Sequence, residues 1–203
     1  MVIGLVIGFL GKVITRDKDK LDQGGIPMRK KLKGIDLELV KGDIAAQEDI
    51  EAVVNAANAQ LKIGGGVAGA IHRAAGPELE KACRSKAPIQ TGEAVITDAF
   101  NLPNDYVIHV LGPVYGRDKP EEKLLSNCYE NALNLAEKNE IKSIAFPAIS
   151  TGAFGYPIAE ATEITLNTVN DHLDNLDSIK KIRFVLYGQS DFKVYKEKLN
   201  EIL

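Results

Sequence analysis

From Ile35 onward the chain alternates between two spacings of apolar residues. "IDLELV" (35–40) sets Ile35, Leu37 and Leu39 against charged neighbours, which predicts a half-buried strand. "AVVNAA" (52–57) is a short apolar run and predicts a buried strand ending at a polar residue. "GVAGAIHRAAG" (66–76) spaces Val67, Ile71 and Ala74 as a helix does, and Gly76-Pro77 stops it. Pro77 then opens a second helical stretch over Glu78–Arg84. "AVITDAF" (94–100) and "YVIHVLG" (106–112) predict two strands separated by a loop containing Pro103.

Residues 120–138 place Leu124, Leu125, Cys128, Leu133, Leu135 and Ala136 in the pattern of an amphipathic helix. "SIAFPAISTGAFGYP" (143–157) reads as strand, Gly-rich loop and a Pro at the first helical position, followed by a helix over 158–173. "KIRFVLYG" (181–188) is a last buried strand, and Asp191 is expected to cap a closing helix carrying Val194, Tyr195 and Leu199. Strands alternating with helices predict an α/β fold, with helices on both faces of the sheet.

The N-terminal stretch differs. After the apolar run "MVIGLVIGFLG" comes "TRDKDKLDQGGIPMRKKLKG" (15–34), charged and broken by Gly-Gly and Pro, which reads as a linker. Residues 1–33 are therefore expected to be an extension, and 34–203 the domain. Two alternatives stay open: Met28 as the initiator, or an extra edge strand over Val2–Phe9.

Composition narrows the chemistry. With 203 residues, 45% hydrophobic and 26% charged, the chain suits one globular domain with a sizeable core. A formal charge of −3 and a pI near 5.7 give no basic face for nucleic acid. An anionic ligand would have to be held by backbone donors and helix ends. The first apolar run is too short for a membrane helix and lacks a signal peptide's basic start. Cys83 and Cys128 form no CxxC and have no His at ligand spacing, so neither a disulfide framework nor a metal site is expected. A reducing cytoplasm is the expected compartment.

Four loops follow a strand and are expected to precede a helix, and two of them are rich in glycine. Gly64, Gly65 and Gly66 admit positive φ and let the backbone approach a ligand without a Cβ in the way. The helix that follows adds about half a positive charge at its start. Ser150, Thr151, Gly152, Ala153, Phe154 and Gly155 repeat the design. Two such loops face to face would cradle a diphosphate.

Six blocks, in order, carry a resemblance: "KGDI" (41–44), "VVNAAN" (53–58), "GGGVAGAIHRAAG" (64–76), "TGEAVIT" (91–97), "YVIHVLGP" (106–113) and "IAFPAISTGAFGYP" (144–157). Over residues 34–203 the chain resembles the macro domain family, closest to the MacroD-like hydrolases. The resemblance implies a three-layer α/β/α sandwich with a mixed central sheet and a cleft for ADP-ribose, and no cofactor. It assigns Asp43 to the adenine amino group, Ile44 to a backbone contact with the base, and Asn58 to the distal ribose and catalysis. Gly64, Gly65, Gly66 and Val67 would form one phosphate loop. Ser150, Thr151, Gly152, Ala153 and Phe154 would form the other, with Phe154 against the distal ribose. Tyr187 matches a position where an aromatic stacks on adenine.

Each residue has a plainer reading as well. Asp43 could cap a helix over the following "IAAQED", Asn55 could tie its strand end to neighbouring backbone, and Tyr187 could be a strand-end core aromatic. His72 and His109 read as packed residues rather than bases.

The resemblance breaks at one place. MacroD-type hydrolases carry an Asp in the glycine loop that orients or activates water, and here that position is Ala68. A methyl group accepts no proton. Three functions follow: hydrolysis of an ester at the distal ribose, whether in O-acetyl-ADP-ribose or in ADP-ribosylated protein; recognition of ADP-ribose without turnover; or, less favoured, dephosphorylation of ADP-ribose 1″-phosphate. No membrane or nucleic-acid partner is expected.

Overall fold

The computed structural model describes residues 27–202. The strand considered over Val2–Phe9 lies outside these residues. In chain order the elements are β1 (Met28–Leu32), β2 (Ile35–Lys41), β3 (Ala52–Ala56), α1 (Gly66–Ala75), α2 (Pro77–Cys83), β4 (Ala94–Asp98) and β5 (Tyr106–Val110). They continue with α3 (Glu121–Lys138), β6 (Ser143–Phe146), α4 (Ile158–His172), a 3-10 turn (Leu173–Asn175), β7 (Lys181–Leu186) and α5 (Gln189–Ile202).

The strands form one seven-stranded sheet in the order β1-β2-β7-β6-β3-β5-β4. The inner pairs β2–β7, β7–β6, β6–β3 and β3–β5 are parallel, while β1 and β4 lie antiparallel at the edges. Burial explains the arrangement. Inner parallel strands are covered on both faces, so β3 and β6 are largely buried and mostly apolar, with Asn55 and Ser143 their only polar members. In β3, Val53 points into the core under α1 and α2, while Ala52 and Val54 point into the larger core under α3, α4 and α5. These two cores make the three layers.

Two expectations are corrected. Residues 28–32, read as linker, form edge strand β1: Met28 pairs with Leu39, Lys30 with Leu37 and Leu32 with Ile35. Their basic side chains masked the alternation, although charges are what an exposed edge strand carries. The stretch after Asp43 is a run of turns, not a helix. Asp43 Oδ1 accepts from Ala45 N at 2.9 Å, which makes it a turn residue rather than a helix cap.

A buried ion cluster fastens those turns to the sheet. Arg183 of β7 donates to Glu38 Oε2 at 2.8 Å, to Gln47 Oε1 at 3.0 Å and to Asp49 Oδ1 at 2.7 Å. Gln47 Nε2 in turn donates to Asp43 O at 2.7 Å. With its donors matched by two carboxylates and an amide, the guanidinium is tolerated at 7% exposure.

Candidate functional site

The carboxyl ends of β3, β5, β6 and β7 open into a cleft of about 520 Å³. This is where an open parallel sheet places its ligand crevice. Asn58 lies just past β3, Gly64–Ala68 form the entry and first turn of α1, Gly112 follows β5, Pro147–Phe154 follow β6, and Tyr187 and Asp191 follow β7. Two strand spacings separate β7 from β3, so the cleft runs roughly 10 Å between those strand tips.

On the β3 side, α1 starts with Gly65 at the cap position and no side chain bonded to its first amides. Its first turn also contains no acidic residue. Helix geometry leaves those N–H groups without internal acceptors, and they face a cleft. Of the three glycines that admit positive φ, only Gly66 uses it, at +52°. A Cβ added at Gly65 or Gly66 would meet nothing within 4 Å, so their surfaces are open to a ligand, whereas one at Gly64 would touch Asn58 Nδ2 at 3.6 Å. Gly69, one position past Ala68, is required for another reason. A Cβ there would run into the carbonyl of Gly64, so the loop folds onto the helix only with glycine at that place.

On the β6 side, residues 150–156 form a second tight loop. Gly155 N donates to Gly152 O at 2.9 Å, Tyr156 N to Ser150 O at 3.0 Å, and Tyr115 N to Phe154 O at 2.9 Å. Among the described residues, the amides of 151–154 donate to no main-chain carbonyl. Ser150 is held at φ +66° and is 7% exposed, with no partner for its Oγ. A left-handed serine costs on the order of 1–2 kcal/mol, and such strain persists where surrounding contacts impose it.

Asn58 spans its own loop: Nδ2 donates to Lys62 O at 2.7 Å and Oδ1 accepts from Lys62 N at 3.2 Å. The amide keeps a second N–H and a second lone pair for a ligand. Ala68 lines the cleft at 5% exposure and offers only its methyl. Tyr187 is 90% exposed, so the core alternative is overturned and its ring stands free at the β7 end.

The structure thus brings Asn58, Gly64, Gly65, Gly66, Val67, Ser150, Thr151, Gly152, Ala153, Phe154 and Tyr187 around one cleft. Asp43 and Ile44 are not in its wall. Ile44 is buried in the smaller core, and Asp43 is exposed in the turn whose Gly42 N bonds Leu186 O at 3.0 Å, beside Tyr187. Among the described residues, neither Lys nor Arg lines the cleft.

Gly112 and Asp191 are among the wall residues to which the sequence reading gave no ligand role. Gly112 carried no role, although it ends a strand run as a glycine. Asp191 was expected to be a helix cap, but α5 begins at Gln189; Asp191 sits in its first turn, accepts from Ser190 Oγ at 3.1 Å and lines the cleft. Asn55 also differs from expectation: it bonds no backbone but lies 3.1 Å from His109 Nδ1, across the β3–β5 ladder.

The sequence profile of the macro domain family matches residues 54–165, which span α1, both phosphate-type loops and most of α4. The chain belongs to the macro domain family. An O-acetyl-ADP-ribose deacetylase of Salmonella newport is 47% identical to it over 170 residues, covering 81% of this chain and 94% of that protein. A solved Oceanobacillus iheyensis macrodomain with ADP shares 42% identity at a TM-score of 0.83, over 87% of this chain and 96% of that one. A Trypanosoma brucei macrodomain in complex with ADP-ribose shares 38% identity at a TM-score of 0.75, over 80% of this chain and 68% of that one. The layered sheet and its mixed strand order are those of a macro domain.

Proposed function

We propose that this macro domain binds ADP-ribose along the cleft and hydrolyses an ester at its distal ribose. The observation that carries the reading is the pair of open amide loops, 64–68 and 150–154, facing one crevice with no Lys or Arg among its described lining residues. Oriented N–H groups and a helix start can neutralise a diphosphate without basic side chains. Placing the diphosphate there leaves Tyr187 and the Asp43 turn for the adenine and Asn58 for the far ribose. The likeness to a deacetylase and to macrodomains solved with ADP and ADP-ribose supports the same ligand.

In the proposed reaction a water oxygen attacks the acyl carbonyl. The bond from that carbon to the ribose oxygen breaks, the ribose oxygen takes a proton, and a carboxylic acid leaves. O-acetyl-ADP-ribose and a protein carboxyl side chain esterified to ADP-ribose are equivalent substrates for this chemistry. Asn58 holds the ribose hydroxyls, and the substrate's own diphosphate, fixed by the two loops, holds the water. Catalysis then rests on positioning rather than on a protein base, which can still supply a substantial rate. The free, buried Cys83 and Cys128 suit a reducing compartment such as the cytoplasm. Among the described residues, no helix is long and apolar enough to cross a membrane.

Ala68 favours one second reading, a module that recognises ADP-ribose without turnover. A time course of ADP-ribose release from O-acetyl-ADP-ribose and from a glutamate-modified protein separates the two. Slow release abolished by Asn58→Ala supports the hydrolase. Binding by calorimetry with no release over a long incubation supports the recognition module, and no heat with ADP-ribose at all refutes both.

A further inference from the structure

Behind the cleft, on the face of the sheet covered by α1 and α2, the fold gathers three residues that lie far apart in the chain. His72 comes from α1, Cys83 from the end of α2 and His109 from the middle of β5, all buried. One donor atom of each lies within 4.8 Å of the other two. We infer that His72, Cys83 and His109 form a closed, three-coordinate site for a soft monovalent cation of the copper(I) type. The inference does not depend on what the cleft binds.

Geometry supports it first. Cys83 Sγ and His109 Nε2 are 3.7 Å apart. A trigonal cation with bonds of roughly 2.3 Å to sulfur and 2.0 Å to nitrogen holds those two atoms about 3.7 Å apart. The imidazole of His72 faces that of His109 with ring centres 6.4 Å apart. Its Nε2 is buried and has no hydrogen-bond partner among the described residues, at a residue 5% exposed. Hydrogen bonding alone accounts for His109, whose Nε2 is 3.0 Å from Thr97 Oγ1, but leaves that second nitrogen unexplained.

The surroundings fit a ligand set. Asn55 Nδ2 lies 3.1 Å from His109 Nδ1 and fixes the ring's orientation from behind, as outer partners of ligating histidines do. A cation on Nε2 would place the ring proton on Nδ1, where Asn55 can accept it by turning its amide; Asn55 Oδ1 has no partner as it stands.

Charge selects the cation. The only ligand of the three that can become anionic is Cys83. Binding breaks the S–H bond, forms a sulfur–metal bond and releases one proton to solvent. A monovalent cation then leaves the buried site neutral, whereas Zn²⁺ would leave a net positive charge with no carboxylate among the ligands. One thiolate and two imidazoles also match the preference of copper(I) for soft donors.

The test titrates the reduced full chain, without oxygen, with Cu⁺ supplied from a chelator of known affinity. Ag⁺ serves as a redox-inert probe and Zn²⁺ as the competitor. The expected result is a single equivalent of Cu⁺ or Ag⁺ with a thiolate-to-metal absorption band, retained in Cys128→Ala and lost in Cys83→Ser. His72→Gln should bind at least about tenfold more weakly while keeping the wild-type circular dichroism spectrum. X-ray absorption of the copper-loaded wild type should show one sulfur and two nitrogens, a readout that needs no variant to fold. No binding beyond that of Cys83→Ser, a band that follows Cys128, a copper shell without sulfur, or displacement of Cu⁺ by Zn²⁺ would each overturn the assignment.

Discussion

Gly112, just past β5, lies so close to Ser150 that a Cβ on it would overlap Ser150 Oγ and stand 2.7 Å from Ile149 Cγ2. The missing side chain at the tip of β5 is what lets the loop after β6, which lies across β3 from it, fold down with Ser150 in its left-handed conformation. The two residues therefore set the shape of the second amide loop jointly.

Gly112→Ala should destabilise the protein by about 1–3 kcal/mol, the usual cost of overpacking. It should also weaken ADP-ribose binding, because relief comes most easily by displacing residues 150–154. Combining it with Ser150→Gly removes the Oγ and the left-handed strain, and should recover part of both losses. Denaturant melts and calorimetry across the four proteins measure the coupling, and strict additivity would argue against it.

Tyr187→Ala separates binding from folding. A ring that is 90% exposed contributes little to stability, so the melting midpoint should stay within about 0.5 kcal/mol of wild type. Loss of a stacking platform should cost about 1–3 kcal/mol of ADP-ribose affinity. An unchanged affinity by calorimetry would remove Tyr187 from the adenine end.

Ala68→Asp should raise single-turnover release of ADP-ribose by at least about tenfold, since a positioned carboxylate commonly contributes 10²-fold or more. ADP-ribose affinity should change little, because the substitution leaves the main-chain amides of 64–68 and 150–154 in place. Asn58→Ala should abolish release. It should also lower stability by about 1 kcal/mol through its lost bonds to Lys62.

Asp49 supplies a pH signature. The hydrogen bond from Arg183, followed by that from Lys181, holds its carboxyl well below the usual carboxylate range. Its folded pKa is depressed, so its contribution is present above the unfolded value near 4 and is lost as pH falls toward the folded value. Asp49→Asn should therefore be less stable than wild type at pH 7, with the gap closing as pH is lowered below about 4. Paired melts at descending pH check the sign; a gap that widens in acid contradicts it.

Much of this architecture was legible because period and burial coincide. The helical spacing of Val67, Ile71 and Ala74 and the apolar runs of β3, β5 and β7 gave elements whose observed bounds differ by a residue or two. The glycine-rich loops were legible for the same local reason: a backbone that must stay bare shows itself as glycine. β1 was not, since its basic edge resembles a linker until Met28, Lys30 and Leu32 find Leu39, Leu37 and Ile35 beside them. Asp191 hid behind a residue type that also caps helices, and only its place beside Tyr187 shows it in the wall of the cleft.

Local chemistry along the chain determined most of the strands, the helices and the two bare loops, because each depends on neighbours a few residues away. The tertiary structure alone decided which strand tips adjoin. That adjacency places Ser150 against Gly112, frees the ring of Tyr187, and brings His72, Cys83 and His109 together in a buried cluster that their sequence spacing conceals. These are contacts between residues remote in the chain, fixed by sheet order and close packing, which no local pattern of apolar and polar residues encodes.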